Sequence, residues 1–177
     1  MSAKATPAVN ALKSAGVAHR LLEYDYDPDA DAIGMAAAAA LGVDAAMLFK
    51  TLVSEVEGVG MVCAVIPSPA RLDLKALASA AGGKRAALAD PKAAERVSGY
   101  VIGGISPLGM RKRLPTLIDA SAGALPEMIM NGGRRGRRSR RHRRISFGSW
   151  GRSWRRSLST GHKLLSWQAY EKGMSRS

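Results

Sequence analysis

Apolar positions along this chain recur in two rhythms, one of helical and one of strand period. Thr6-Pro7 reads as a helix cap with proline at the first helical position; Val9 and Leu12 share a face and Gly16 stops the helix. Val17 to Tyr24 reads as a strand leading into the acidic turn Asp25-Tyr26-Asp27-Pro28, and alanine-rich Asp31 to Leu41, ended by Gly42, as a second helix. Phe49 to Val53 is strand-like: alternation puts Phe49, Thr51 and Val53 on one face and Leu48, Lys50 and Leu52 on the other. Met61 to Ile66 is its antiparallel partner, reached through Gly58 and Gly60 and ended by Pro67 and Pro69. Asp73 caps a helix through Leu74 and Leu77 to Gly82-Gly83, Ala86 to Ala89 is a weak strand, and Asp90-Pro91 starts a helix ending near Ser98-Gly99. Thr116 to Ile118 and Met128 to Met130 are short strands, the second closing at Asn131-Gly132-Gly133. Helices and strands mix without a regular βαβ repeat, which predicts an α/β (α+β) fold with a largely antiparallel or mixed sheet and helices packed on it.

Between the last helix and the next strand, Gly99 to Asp119 reads Gly-Tyr-Val-Ile-Gly-Gly-Ile-Ser-Pro-Leu-Gly-Met-Arg-Lys-Arg-Leu-Pro-Thr-Leu-Ile-Asp. Adjacent glycines let a backbone take positive φ and approach a ligand with N–H groups turned toward carbonyl or phosphate oxygens. The other reading is a bent strand whose glycines only turn a corner, and spacing alone leaves both open. Lys50 has two readings as well: a leucine-flanked lysine either snorkels to water or holds its ammonium where solvation is poor and an anionic group can use it.

A net charge of +13 changes the picture less than it promises. Residues 1–133 hold 13 Lys and Arg against 13 Asp and Glu, whereas residues 134–177 hold 14 against 1, so the excess sits in the tail. The length suits one domain with its own core. No apolar run approaches a membrane span and the N-terminus lacks a secretion-signal pattern, so a cytoplasmic protein is expected. The single cysteine, Cys63, lies in an apolar run and reads as a buried, inert thiol; with His19, His142 and His162 scattered, no zinc-ligand spacing exists, and no cofactor is expected.

These segments, taken in order, resemble the bacterial YbaK family of freestanding aminoacyl-tRNA editing proteins. The resemblance runs from about Thr6 to Gly136 and rests on Thr6-Pro7-Ala8-Val9, Tyr24, Phe49-Lys50-Thr51-Leu52, Leu72-Asp73-Leu74-Lys75, Ala89-Asp90-Pro91, Gly99-Tyr100, Gly103-Gly104-Ile105-Ser106-Pro107-Leu108-Gly109, Lys112-Arg113-Leu114-Pro115 and Gly132-Gly133. It looks closest to the branch that clears cysteine from tRNA(Pro). The resemblance implies a compact, curved mixed sheet and an editing domain over residues 1–136. It makes Lys50 the residue that activity cannot spare, and it implies that the substrate's own thiol attacks its ester, so that no protein nucleophile is needed. Backbone N–H groups of the Gly103-Gly104 and Gly132-Gly133 turns, with Ser106 and Pro107, are then expected to position the tRNA 3′ end, and Tyr24 to line the pocket. Aminoacyl-tRNA is the implied partner, with a prolyl-tRNA synthetase as a further one.

The resemblance stops after Gly136, where the family's Leu-Asp-Ile-Glu-Leu type of strand is replaced by Arg137-Arg138-Ser139-Arg140-Arg141-His142-Arg143-Arg144. The family's acidic residue in that strand has no counterpart. The abrupt change in charge reads as a shifted reading frame. The tail over 137–177 is expected to be disordered or loosely helical, to leave a sheet edge uncovered and not to replace the strand. Two rivals to a deacylase follow: a nucleic-acid-binding protein driven by the arginines, with Trp150, Trp154 and Trp167 to stack on bases, and an inactive remnant of the editing fold.

Overall fold

The computed structural model describes residues 5–25, 33–133, 141–148 and 164–166, the last two segments as backbone. Among these residues, four helices, α1 (Pro7–Ser14), α2 (Ile33–Leu41), α3 (Leu74–Ala81) and α4 (Pro91–Ser98), pack on eight strands. The strands are β1 (His19–Asp25), β2 (Phe49–Val56), β3 (Gly60–Pro67), β4 (Ala86–Leu88), β5 (Thr116–Asp119), β6 (Glu127–Asn131), β7 (Arg141–Gly148) and β8 (Leu164–Ser166). The helix ends are where side-chain chemistry puts them. Thr6, Asp73 and Asp90 accept from backbone N–H groups at the starts of α1, α3 and α4, and Gly82 and Gly99 close α3 and α4 in the left-handed conformation.

One sheet runs β1-β7-β6 and another β4-β2-β3-β5-β8; an isolated parallel bridge between Leu48 and Ile129 joins them into a curved, unclosed mixed surface. Among the described residues, only β3 and β5 pair in parallel within the sheets. β3 is apolar without alternation because both its faces are covered. Cys63 and Val65 join Phe49, Val53, Ile118, Met128 and Met130 in the main core under α1, while Val62 and Ala64 meet Leu77 and Ala78 of α3. A third cluster sets Ala37 and Ala38 of α2 against Tyr24, Leu48 and Ile129. Burial pushes the Cys63 thiol up to about 12, with a hydrogen bond to Thr116 opposing the shift, so the thiol is buried and protonated.

The sequence reading needs two corrections. The Gly99–Pro115 stretch contains no strand; its only regular feature is turns, so the bent-strand reading gives way to a loop. And the tail does supply a strand: β7 lies between β1 and β6, and β8 pairs with β5. Two facing strand edges offer unpaired backbone groups that any extended segment can satisfy. The register also sets Glu23 opposite Arg143 and Asp25 opposite Arg141, pairing opposite charges in the alignment. The expected uncovered edge is therefore paired. The rest of the tail expected to be disordered lies outside the described residues, as does the acidic turn after Asp25.

Candidate active site

Lys50 stands near the start of β2, opposite Ile66 of β3. Its neighbours in the strand, Phe49 and Thr51, point into the core, so the lysine takes the other face with fully buried Leu48 and half-buried Leu52. The side chain is half-buried, and burial lowers its pKa below the usual lysine value. No hydrogen-bond or ion-pair partner occupies it among the described residues. The half-buried side chain and the lowered pKa are in keeping with a poorly solvated ammonium.

Strand β6 ties the glycine loop to the sheet that carries this lysine. From the Leu48–Ile129 bridge both chains run in the same direction, so Lys50 and Asn131 each lie two residues further along, on the face their predecessors share. Asn131 is buried, and its side-chain amide donates to the Ile105 carbonyl at 3.2 Å. That single bond ties the end of β6 to the centre of the loop. Tyr24 approaches from β1, its ring buried against Ala37, Ala38, Leu48 and Ile129.

The loop is itself a built object. Gly103 adopts φ 82°, and the Gly104 N–H donates back to the Val101 carbonyl at 2.9 Å, closing a tight turn. One of the two N–H groups expected for a ligand is thus used inside the turn, whereas Gly103 is exposed. Ser106 is fully buried, and its hydroxyl accepts from the Leu108 N–H at 3.3 Å; Pro107 beside it is half-buried. A serine so placed is a brace. Glu95 of α4 accepts from the Ile102 N–H at 2.8 Å and fixes the near side of the turn.

Tyr100 is the centre of the far side. Its buried hydroxyl donates to the Leu108 carbonyl at 2.5 Å and accepts from the Ala8 N–H at the start of α1; burial pushes its pKa up. Its ring lies against Gly133, where a Cβ would come within 2.5 Å of Cε1. Gly133 also has φ 83°, so two separate demands select glycine there. Thr6 completes the junction: its hydroxyl caps α1 and donates to the Gly132 carbonyl at 2.6 Å. Gly104, Ser106 and Gly132 are thus held by hydrogen bonds and Gly133 by its packing on the Tyr100 ring, while Lys50 and Tyr24 stand on the strands of the sheet.

Sequence reasoning passed over Thr6, Glu95, Tyr100 and Asn131 as site residues. Asn131 read as part of a strand-ending turn and Thr6 as a cap alone. Tyr100 carried a signal, since a tyrosine beside a glycine loop in a chain with four tyrosines needs a partner for its hydroxyl. Chemically, a partly desolvated ammonium on the sheet that carries the glycine loop can stabilise a phosphate or a developing oxyanion without any protein nucleophile.

Known proteins give this arrangement a family. A family profile described as "Aminoacyl-tRNA editing domain" matches residues 27–140. The chain is 41% identical over 97 residues to "Putative Cys-tRNA(Pro)/Cys-tRNA(Cys) deacylase EbsC" of Enterococcus faecalis (strain ATCC 700802 / V583), covering 55% of this chain and 59% of that protein. It is 32% identical over 111 residues to "Multifunctional Ser/Thr-tRNA deacylase ProXp-y" of Escherichia coli (strain K12), covering 61% of this chain and 64% of that one. The chain thus spans about three-fifths of the length of these curated relatives. Among solved structures it is similar to one titled "Crystal structure of a putative trans-editing enzyme for prolyl tRNA synthetase", with a TM-score of 0.64 and 25% identity over 78% of this chain and 82% of that one. With the profile matching well over half of its residues, the chain belongs to the aminoacyl-tRNA editing domain family.

Proposed function

We propose that this chain is a trans-editing deacylase that clears mischarged aminoacyl-tRNA, with Cys-tRNA(Pro) as its foremost substrate. The observation that carries the reading is Lys50: a half-buried ammonium of lowered pKa, with no partner among the described residues, on the strand beside Asn131, which holds the glycine loop. The names of the two relatives, one a Cys-tRNA deacylase and one a Ser/Thr-tRNA deacylase, support the substrate class.

In this mechanism the cysteinyl thiol attacks the carbonyl of its own ester. A C–S bond forms, the C–O bond to the terminal ribose breaks, and the thiol proton ends on the ribose oxygen. The products are tRNA with a free hydroxyl and a cyclic thiolactone. The protein supplies position and charge. Lys50 offsets negative charge at the tRNA 3′ end, and Gly103 allows the backbone to come close. Gly104, Ser106, Pro107, Gly132 and Gly133 hold the wall in shape, and Tyr24 limits the pocket on the sheet side. Ser106 is not asked to be a nucleophile, in keeping with its buried, engaged hydroxyl. Residues 141–148 contain no Asp or Glu, so the carboxylate found in the family's last strand is not replaced by β7. The reaction belongs to the cytoplasm, with a prolyl-tRNA synthetase as the source of the mischarged tRNA.

The test is deacylation by the full chain of Cys-tRNA(Pro), of the same tRNA with its thiol alkylated, and of Ser- and Thr-charged tRNA. Fastest loss of Cys-tRNA(Pro), with the alkylated form spared, is expected. No loss above the buffer rate for any of these substrates refutes the deacylase, and equal loss of the alkylated form refutes the thiol mechanism.

A further inference from the structure

The balanced charge of residues 1–133 hides a strong polarity. Residues 84–113 hold seven Lys and Arg against two acids, Asp90 and Glu95, while the remainder of 1–133 holds six against eleven. Both acids in the basic stretch are bound to backbone N–H groups, Asp90 to Ala93 as the cap of α4 and Glu95 to Ile102. The cations lie along the same helix and on the segment fastened to its C-terminal end. Lys92 and Arg96 are exposed and four residues apart, hence on one face of α4. Exposed Arg111 and Lys112 are fastened beside them, because their N–H groups donate to the carbonyls of Ser98 and Val97, each at 2.9 Å. The Arg111 side chain crosses the glycine that ends α4, with Nε 3.6 Å from where a Gly99 Cβ would stand.

The last turns of α4 therefore hold both the glycine loop, through Glu95 and Ile102, and a ledge of cations, through Ser98 and Val97. Loop and ledge keep a fixed relation. We infer that this ledge, Lys92, Arg96, Arg111 and Lys112, binds the backbone phosphates of the RNA acceptor stem whose 3′ end enters the candidate site. The inference rests on the editing function proposed above and gives it an interaction surface on the editing domain itself. Phosphate contacts carry no base information; they fix the register of the RNA, and their number appears in the salt dependence of binding.

The experiment measures binding of an uncharged acceptor-stem minihelix with a single-stranded 3′ end to the full chain across a salt series. Three proteins are compared: wild type, the ledge variant Arg96→Ala/Arg111→Ala/Lys112→Ala, and a control that removes three exposed cations elsewhere, Lys13→Ala/Arg71→Ala/Lys75→Ala. With each lost phosphate contact worth roughly 0.7 to 0.9 in the log–log salt slope, the ledge variant should be shallower by about 2 and bind about 10²-fold more weakly at low salt. The control should keep the wild-type slope. A ledge variant with the wild-type slope, or a control that loses as much as the ledge variant, overturns the inference, the first by giving binding to other cations and the second by making it diffuse. Because the RNA is uncharged, the result does not depend on whether the chain deacylates, and the two proposals fail separately.

Discussion

Replacing Tyr100 with Phe removes one oxygen from the junction that holds the glycine loop to α1. That oxygen has two partners, the Leu108 carbonyl at 2.5 Å and the Ala8 N–H, and both Ala8 and Leu108 are buried. Neither regains water when the hydroxyl goes. A net hydrogen bond is worth about 1 kcal/mol, and a buried group left unsatisfied costs about 1–3 kcal/mol. With part of the loss recovered by small shifts, Tyr100→Phe should destabilise by about 2–4 kcal/mol, a large share of the roughly 5–15 kcal/mol of a typical domain. Urea denaturation should show a lower midpoint with an unchanged slope, since the surface exposed on unfolding stays the same. Amide exchange should quicken most at residues 105–109. A midpoint shift worth under about 0.5 kcal/mol would refute the reasoning, because a hydroxyl that bridges two buried groups cannot be lost so cheaply.

Gly133→Ala and Gly16→Ala start from similar positive φ, 83° and 65°, but a Cβ at Gly133 meets the Tyr100 ring while one at Gly16 meets nothing within 4 Å. Thermal denaturation should therefore show a loss of about 1–2 kcal/mol for Gly16→Ala and clearly more for Gly133→Ala; equal losses would mean that the ring yields freely. Burial lowers the Lys50 pKa, so between that value and 10.5 the unfolded chain binds more protons and the stability cost of the lysine is relieved as pH rises. Lys50→Met should accordingly stabilise the fold near neutral pH, with a gain that shrinks toward pH 10.5; urea midpoints at several pH values check both sign and window. Sequencing the gene beyond the Gly136 codon tests the shifted frame: a Leu-Asp-Ile-Glu-like strand is expected in another frame, and its absence from every frame rejects the shift.

Most elements were legible because their signals are local. Thr6-Pro7 and Asp90-Pro91 each mark a helix start, and the alternation of β2 placed Phe49 and Val53 in the core and Lys50 away from it. What escaped was long-range. Asn131 reaches back to Ile105, Thr6 reaches forward to Gly132, and Tyr100 joins Ala8 to Leu108, none of which has a period or a cap signature. Spacing could not choose between a loop and a bent strand because Tyr100, Val101 and Ile102 favour strands by type, whereas the turn closed by Gly104 and pinned by Glu95 overrides that preference. The tail was judged on its like charges and its lack of a sustained apolar period. Its backbone still had two strand edges to meet, and the acids of β1 stood opposite its arginines in register.

The most direct measurement is single-turnover deacylation of Cys-tRNA(Pro) by wild type and by Lys50→Ala, with urea midpoints recorded to show that the variant folds. Losing a well-placed electrostatic contact should slow the reaction by about 10²-fold or more. A folded Lys50→Ala protein that clears Cys-tRNA(Pro) at nearly the wild-type rate would contradict the account.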